Sequence, residues 1–415
     1  MPSRSWIALT CVAFALAAVG TNVAAETSAE AVAALEKRLK PSLESLAALK
    51  TESFAESPLS KRDAAVARKL IWNAYAEAVR KERTQEIQDK VIKDGDLEMR
   101  FDLKTFGKKP RSGHSLWISL HGGGGAPAAM NDQQWENQKR LYSLEEGVYV
   151  APRAPTNTWN LWHEPHIDRM FNRLIADLIV THDVDPNRVY LLGYSAGGDG
   201  VYQLAPRMAD RWAAASMMAG HPNGVSLLSL RNTPFAIHMG GNDAAYNRNK
   251  VAAEYGQKLD ALQKQDPDGY VHEVQIYEGK GHWMDRLDGQ ALPWMAQRTR
   301  NPLPTRVVWN QTGTPHQQSY WLAVPSGAEK VGSLVVADRQ GQTIEITQAE
   351  NVPNLLVRLD DRMVDLDQPI EVKQGSQTIY QGVASRTIGT MLRTLLDYGD
   401  PELTFDAEVS VQLAN

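Results

Sequence analysis

Three residues of this chain, Ser195, Asp243 and His282, have the types and the order that suit acyl transfer. A serine hydroxyl attacks a carbonyl when a base takes its proton, a carboxylate orients that base, and donors receive the charge developing on the carbonyl oxygen. Ser195 sits in Gly193-Tyr194-Ser195-Ala196-Gly197, directly after the apolar run Val189 to Leu192. In such a G-x-S-x-G pattern the missing side chains let a strand turn sharply into a helix and leave the hydroxyl exposed. Asp243 ends Met239-Gly240-Gly241-Asn242-Asp243, and His282 ends Glu278-Gly279-Lys280-Gly281-His282. Each follows a short apolar run, so both fall on loops at strand ends. Asp285 is the alternative acid, whereas Asp199 lies too close to the serine along the chain.

The oxyanion donors are expected to be backbone N–H groups. Ala196 supplies one, and Gly123 or Gly124 the other, from His121-Gly122-Gly123-Gly124-Gly125 just after the run Ser115 to Leu120. As a phosphate loop this stretch fails, since it lacks both G-K-[ST] and a G-x-G-x-x-G opening a helix. Aromatic residues near these loops, Trp159, Trp162, Tyr194 and Trp283, together with His163, are the candidate substrate-binding residues, because flat walls suit sugar rings or phenolic groups. The run His163-Glu164-Pro165-His166 does not suit a metal: Pro165 disrupts the helix that H-E-x-x-H needs, and the second histidine comes one residue early. Neither a metal nor a cofactor is expected.

These groups need a scaffold, and the chain's periodicities describe one. Apolar runs at 115–120, 148–151, 189–192, 213–218, 234–239 and 271–277 alternate with helical patterns such as 168–182 and 249–264. Strands separated by helices imply right-handed crossovers and a mostly parallel sheet with both faces covered, with reactive groups at the carboxyl ends of its strands. Residues 26–95 form a helical segment: Thr27-x-x-Glu30 and Ser60-x-x-Asp63 look like capping boxes, Pro41 and Pro58 separate the helices, and Val66, Leu70, Ile71, Tyr75 and Val79 share a face. That face packs on the domain that follows or forms a lid over the site. Residues 96–300 make the α/β domain, and residues 301–415, with short β-like runs and one helix near 386–397, make a smaller all-β domain. That domain is a structural appendage or a binding module.

Residues 1–25 read as an export signal: Arg4, an apolar run from Trp6 to Gly20, then Val23-Ala24-Ala25. The expected location is periplasmic or secreted, with no membrane span once the signal is removed; an uncleaved anchor is the alternative. The single cysteine, Cys11, lies within this stretch, so the mature chain would form no disulfide. Charged residues make up 22% of the chain and hydrophobic residues 43%, as in ordinary globular proteins. A net charge of −5 with no basic cluster gives no footprint for nucleic acid.

His121 to Gly125, Gly193 to Gly198, Gly240 to Asp243 and Gly281-His282 together resemble the α/β-hydrolase superfamily, in the branch of exported esterases similar to polyhydroxybutyrate depolymerases and feruloyl esterases. The resemblance covers about Leu97 to Met295. It implies an α/β-hydrolase fold with a mostly parallel central sheet, here preceded by a helical segment and followed by a small sandwich-like β domain. It also implies a Ser-His-Asp mechanism without cofactor, with Ser195 as nucleophile, Asp243 as acid and His282 as base, acting on a small-molecule or oligosaccharide ester. Dienelactone hydrolases, similar in outline, use a cysteine that this chain lacks. Prolyl-oligopeptidase-like enzymes carry a propeller that the helical segment cannot be. A serine peptidase of the same fold, or a binding protein that works through its β domain, are the competing readings.

Overall fold

A reciprocal cap opens the first helix: the Thr27 side chain accepts the Glu30 N–H, and the Glu30 carboxylate accepts the Thr27 N–H. The computed structural model describes residues 27–414, so the signal expected over 1–25, with Cys11, lies outside the described residues. Helices α1 (Ser28–Arg38) and α2 (Leu43–Leu49) flank Pro41, and the long helix α3 (Lys61–Asp89) starts at the Ser60 cap. On α3 the buried stripe runs through Ala64, Ala67, Ile71, Tyr75 and Val79; Val66, expected on it, is 44% exposed. Small alanines, which the apolar count underweights, let α3 approach its neighbours closely.

The central sheet begins with β1 (Val91–Asp94) and β2 (Leu97–Phe106), an antiparallel hairpin turned by Gly95-Asp96. There follow β3 (His114–Leu120), α4 (Ala128–Gln138), β4 (Gly147–Pro152), α5 (Pro165–Thr181), β5 (Val184–Tyr194), α6 (Ala196–Arg207), β6 (Ala214–Met218), β7 (Phe235–Gly240), α7 (Arg248–Gln265), β8 (His272–Tyr277) and α8 (Ala291–Ala296). The strand order is β1-β2-β4-β3-β5-β6-β7-β8, in which β2 alone runs against the rest, pairing antiparallel with both β1 and β4. Every residue of β4, β6 and β7 is buried, as both covered faces demand. Parallel pairing of Leu120 with Gly193, and of Gly240 with Tyr277, brings the loops that follow these strands to one edge. The chain reverses direction across the sheet at β3, the switch point where open α/β sheets place their sites.

Beyond residue 300, β9 (Arg306–Asn310), β10 (Gln318–Ser319), β11 (Leu322–Ala323), β12 (Leu334–Gln340), β13 (Thr343–Glu350), β14 (Asn354–Leu359), β15 (Ile370–Gln374), β16 (Gln377–Gly382) and β17 (Ala407–Gln412) form a four-stranded and a five-stranded sheet around one core. Residues 320–321 make the tight turn between β10 and β11, with Tyr320 at φ 53°. Helix α9 (Ile388–Tyr398) leaves this unit and packs on α2 and α3, sharing one hydrophobic cluster with them. The helical segment therefore braces α5 and α9; among the described residues, none of 27–89 lines the cleft over Ser195.

One buried histidine fixes the exit of β3. The Nδ1 of His121 lies 2.6 Å from the Gly122 carbonyl, its Nε2 accepts the Ala154 N–H at 3.1 Å, and its own carbonyl accepts the Trp162 indole N–H at 2.9 Å. Burial pushes its pKa down to about 4, from near 6.5 in an unfolded chain. Between these values the unfolded chain holds a proton that the folded one does not. The stability tied to neutral His121 is thus complete above pH 6.5 and is lost as pH falls towards 4. Urea unfolding from pH 7 to 4.5 tests this: His121→Gln should flatten the decline by up to about 1.4 kcal/mol per pH unit relative to wild type. Parallel pH slopes for the two proteins would refute it.

Candidate active site

Ser195 stands between β5 and α6 with φ 57° and ψ −121°, a conformation that a non-glycine residue holds only when its surroundings impose it. Two glycines impose it here. A Cβ on Gly197 would lie 2.2 Å from the Leu120 carbonyl oxygen, and one on Gly193 would lie 2.3 Å from the Gly197 oxygen. The turn can therefore close onto the end of β3, and the Ser195 N–H donates to the Met218 carbonyl at 2.9 Å.

The structure brings the three sequence-predicted groups together. His282 Nε2 lies 2.9 Å from Ser195 Oγ, and its Nδ1 lies 2.7 Å from Asp243 Oδ2. For Nε2 to accept the serine proton, Nδ1 must carry the hydrogen and donate to Asp243, the tautomer a buried carboxylate selects. Asp243 is 3% exposed, and Arg248 stands 3.6 Å beyond its other oxygen. The alternative acid, Asp285, points away and pairs with Lys280 at 2.7 Å. Asp199 is half-buried and accepts the His221 N–H.

Backbone ties hold the acid and base loops in register. The Asn242 N–H donates to the Lys280 carbonyl at 2.8 Å and the Gly241 N–H to the Tyr277 carbonyl at 2.9 Å. Tyr194, expected to touch substrate, does a second job: its hydroxyl donates to the His282 carbonyl at 2.7 Å and accepts the Met284 N–H at 3.1 Å. Burial pushes its pKa above the usual range, so it stays a neutral donor.

Of the two glycines considered for the oxyanion hole, the structure separates their roles. The Gly124 N–H donates to Asn131 Oδ1 at 2.8 Å and is not available to a substrate. Gly123, at φ 105°, and Ala196, the first residue of α6, have N–H groups without a protein acceptor among the described residues, beside Ser195. Asn131 was not singled out from sequence. It is fully buried on α4, and its amide also donates to the Ala126 carbonyl and to Asn157, which shapes the glycine loop. A polar residue on the inward stripe of a helix that follows a glycine loop was the signal available.

A cleft of about 480 Å³ opens over Ser195, lined by Gly123, Met130, Gln134, Tyr194, His282 and Trp283 among others. Trp283 is 48% exposed there. Trp162 does not reach the mouth: it is fully buried against Phe171, its indole held by His121, and so belongs to the core. Trp159 is 64% exposed and lies over Gly124 and Gly125, edge-on to His163, outside the residues that line this cleft. His163 is half-buried, with its pKa pushed down to about 4 by burial. Asp168 is taken by Arg207 at 2.6 Å and His316 at 2.7 Å. Among the described residues no three His, Cys, Asp or Glu side chains gather at one point.

No family model matches the chain. A bifunctional acetylxylan esterase/xylanase of Neocallimastix patriciarum is 30% identical over 141 residues, covering 33% of this chain and 20% of that protein. The chain thus spans about a fifth of the length of that curated relative. Among solved structures, a thermostable esterase matches with TM-score 0.40 and 18% identity, covering 51% of this chain and 62% of that one. The poly(3-hydroxybutyrate) depolymerase LpqC of Bordetella parapertussis matches with TM-score 0.38 and 18% identity, covering 51% and 90%. A ferulic acid esterase matches with TM-score 0.32 and 15% identity, covering 48% and 98%. The fold is carried by the chain's own geometry. With its mostly parallel eight-stranded sheet, a strained serine turn after β5 and an acid and a histidine after β7 and β8, the chain has the α/β-hydrolase fold.

Proposed function

We propose that this protein is a serine hydrolase that cleaves carboxylic esters. The observation that carries the reading is His282, in hydrogen-bond reach of both Ser195 Oγ and Asp243 while Ser195 sits in a strained turn. In the first half-reaction His282 Nε2 takes the hydroxyl proton as Oγ bonds to the ester carbonyl carbon. The tetrahedral oxygen then lies against the Gly123 and Ala196 N–H groups, and His282 returns the proton to the departing alcohol. Water, activated by the same imidazole, releases the acid from the acyl-serine.

On this reading the substrate is an ester of a carbohydrate or a phenolic compound. Support comes from the exposed Trp283 beside the base and the Tyr194 ring next to it, a flat wall for a ring-shaped group. The acetylxylan esterase that is 30% identical over 141 residues points the same way. The apolar leader ending in Val23-Ala24-Ala25 supports export to the periplasm or medium.

Ser195→Ala should abolish turnover of p-nitrophenyl acetate while leaving the thermal melt in place, and a fluorophosphonate probe should label wild type but not the variant. Wild-type turnover that survives in the variant would reject the nucleophile, and an unlabelled wild type would favour a binding protein. Asp243→Asn should lower kcat on the order of 10⁴-fold, because Nδ1 of His282 then no longer faces a carboxylate. A loss below about tenfold would move the orienting role elsewhere.

A further inference from the structure

The charges that line the catalytic cleft have one sign. Its permanently charged residues are Arg140, just beyond the end of α4, and Arg286, in the loop after β8; no carboxylate lines it. Both arginines are exposed. Among the described residues neither has an ion-pair partner within 4.0 Å. Most arginines of the described residues, Arg100, Arg153, Arg169, Arg173, Arg188 and Arg207 among them, each hold a carboxylate; of those that do not, Arg140 and Arg286 are the two that line this cleft.

The nearby acids are occupied by lysines. Glu136 pairs with Lys139 at 2.6 Å, next to Arg140, and Asp285 pairs with Lys280 at 2.7 Å, next to Arg286. Asp288 is buried and accepts from the Tyr142 hydroxyl, and burial raises its pKa. Arg286 is also held at some conformational cost: Asp285 and Arg286 are consecutive left-handed residues, at φ 55° and 65°. Strain of this kind gathers at binding sites. On a chain with net charge −5, a cleft with two unpaired guanidinium groups concentrates anions.

We propose that Arg140 and Arg286 are specificity-determining residues and that the ester cleaved here carries a carboxylate on its acyl or its alcohol half. This inference rests on the serine-hydrolase reading and adds the charge of the substrate to it. The planar guanidinium fork suits a carboxylate, and exposed pairs of this kind together contribute roughly tenfold in kcat/KM.

Two matched ester pairs test it. The acyl arm compares mono-(4-nitrophenyl) adipate with its methyl ester, and the alcohol arm compares 3-acetoxybenzoate with methyl 3-acetoxybenzoate, each rate divided by its hydroxide-catalysed rate. At low salt the anionic member of at least one pair should be favoured about tenfold in kcat/KM, chiefly through KM. The arm that responds assigns the half that carries the charge. That ratio should fall towards one in the Arg140→Gln/Arg286→Gln double variant, and in wild type at 0.5 M NaCl, where the Debye length is only about 4 Å. Turnover with both ratios within twofold of one, or a preference unchanged in the double variant, overturns the inference and leaves the hydrolase reading standing. No turnover of any of the four esters, with no fluorophosphonate labelling, overturns both.

Discussion

The turn after β5 can exist only because it has no side chains where it meets the end of β3. Gly197 presses on the Leu120 carbonyl and Gly193 on Gly197, both closer than any Cβ would permit. This single backbone contact does two things. It drives Ser195 into the left-handed region and exposes its hydroxyl, and it sets the exit of β3 directly beside that hydroxyl. Gly122, the second residue after β3, stands so near that a Cβ there would lie 3.1 Å from the Ser195 Cβ. The Ser195 hydroxyl and the Gly123 and Ala196 N–H groups are thus placed by one approach, and the electrostatic preorganisation that the proposed acyl transfer needs follows from backbone packing.

The acid and base loops repeat this logic along the same edge of the sheet. A Cβ on Gly240 would lie 2.0 Å from the Gly281 carbonyl, so the loops after β7 and β8 touch through backbone before their side chains meet. The hydroxyl of Tyr194 then ties the His282 carbonyl to the residue preceding the nucleophile. The imidazole is consequently held at both ends of its loop, and its distance to Ser195 is not left to a mobile side chain. A rigid shell of this kind is what keeps a catalytic hydrogen bond within a few tenths of an ångström.

The sequence made the chemistry legible because the chemistry needs rare combinations: a serine between glycines after an apolar strand, and an acid and a histidine each closing a glycine-rich loop. The buried strands were legible for the same reason, since a sheet covered on both faces leaves uninterrupted apolar runs such as 148–151. What escaped depends on partners far away in the chain. Asn131 is an unremarked polar residue until it is seen to accept from Gly124, and Trp162 looks like a mouth aromatic until His121 and Phe171 enclose it. Val66 shared the expected stripe of α3 with Ile71, yet the alanines at 64 and 67 set the buried face because two helices can come closer there. Strands β1 and β16 carry no period of their own in four to six mixed residues, so pairing alone makes them strands, whereas β17 alternates apolar and polar residues from Ala407 to Gln412 and was legible by that period.

The two flanking parts are joined to each other as well as to the sheet. Helix α9 passes from the β unit into the cluster formed by α2 and α3, and Arg211 and Arg300 of the α/β part converge on buried Asp400. Removing one member of such a buried ionic group leaves an unpaired charge, so these contacts couple the parts into one folding unit. Yet among the described residues none of 27–89 or 301–414 lines the catalytic cleft. Its walls come from the loops after β3, β5 and β8 and from α4 with the residue pair that follows it. Differences in substrate choice must then arise from a small set of loop side chains on a scaffold braced from behind, which is where rigid folds concentrate their specificity. Arg140 and Arg286 belong to that set.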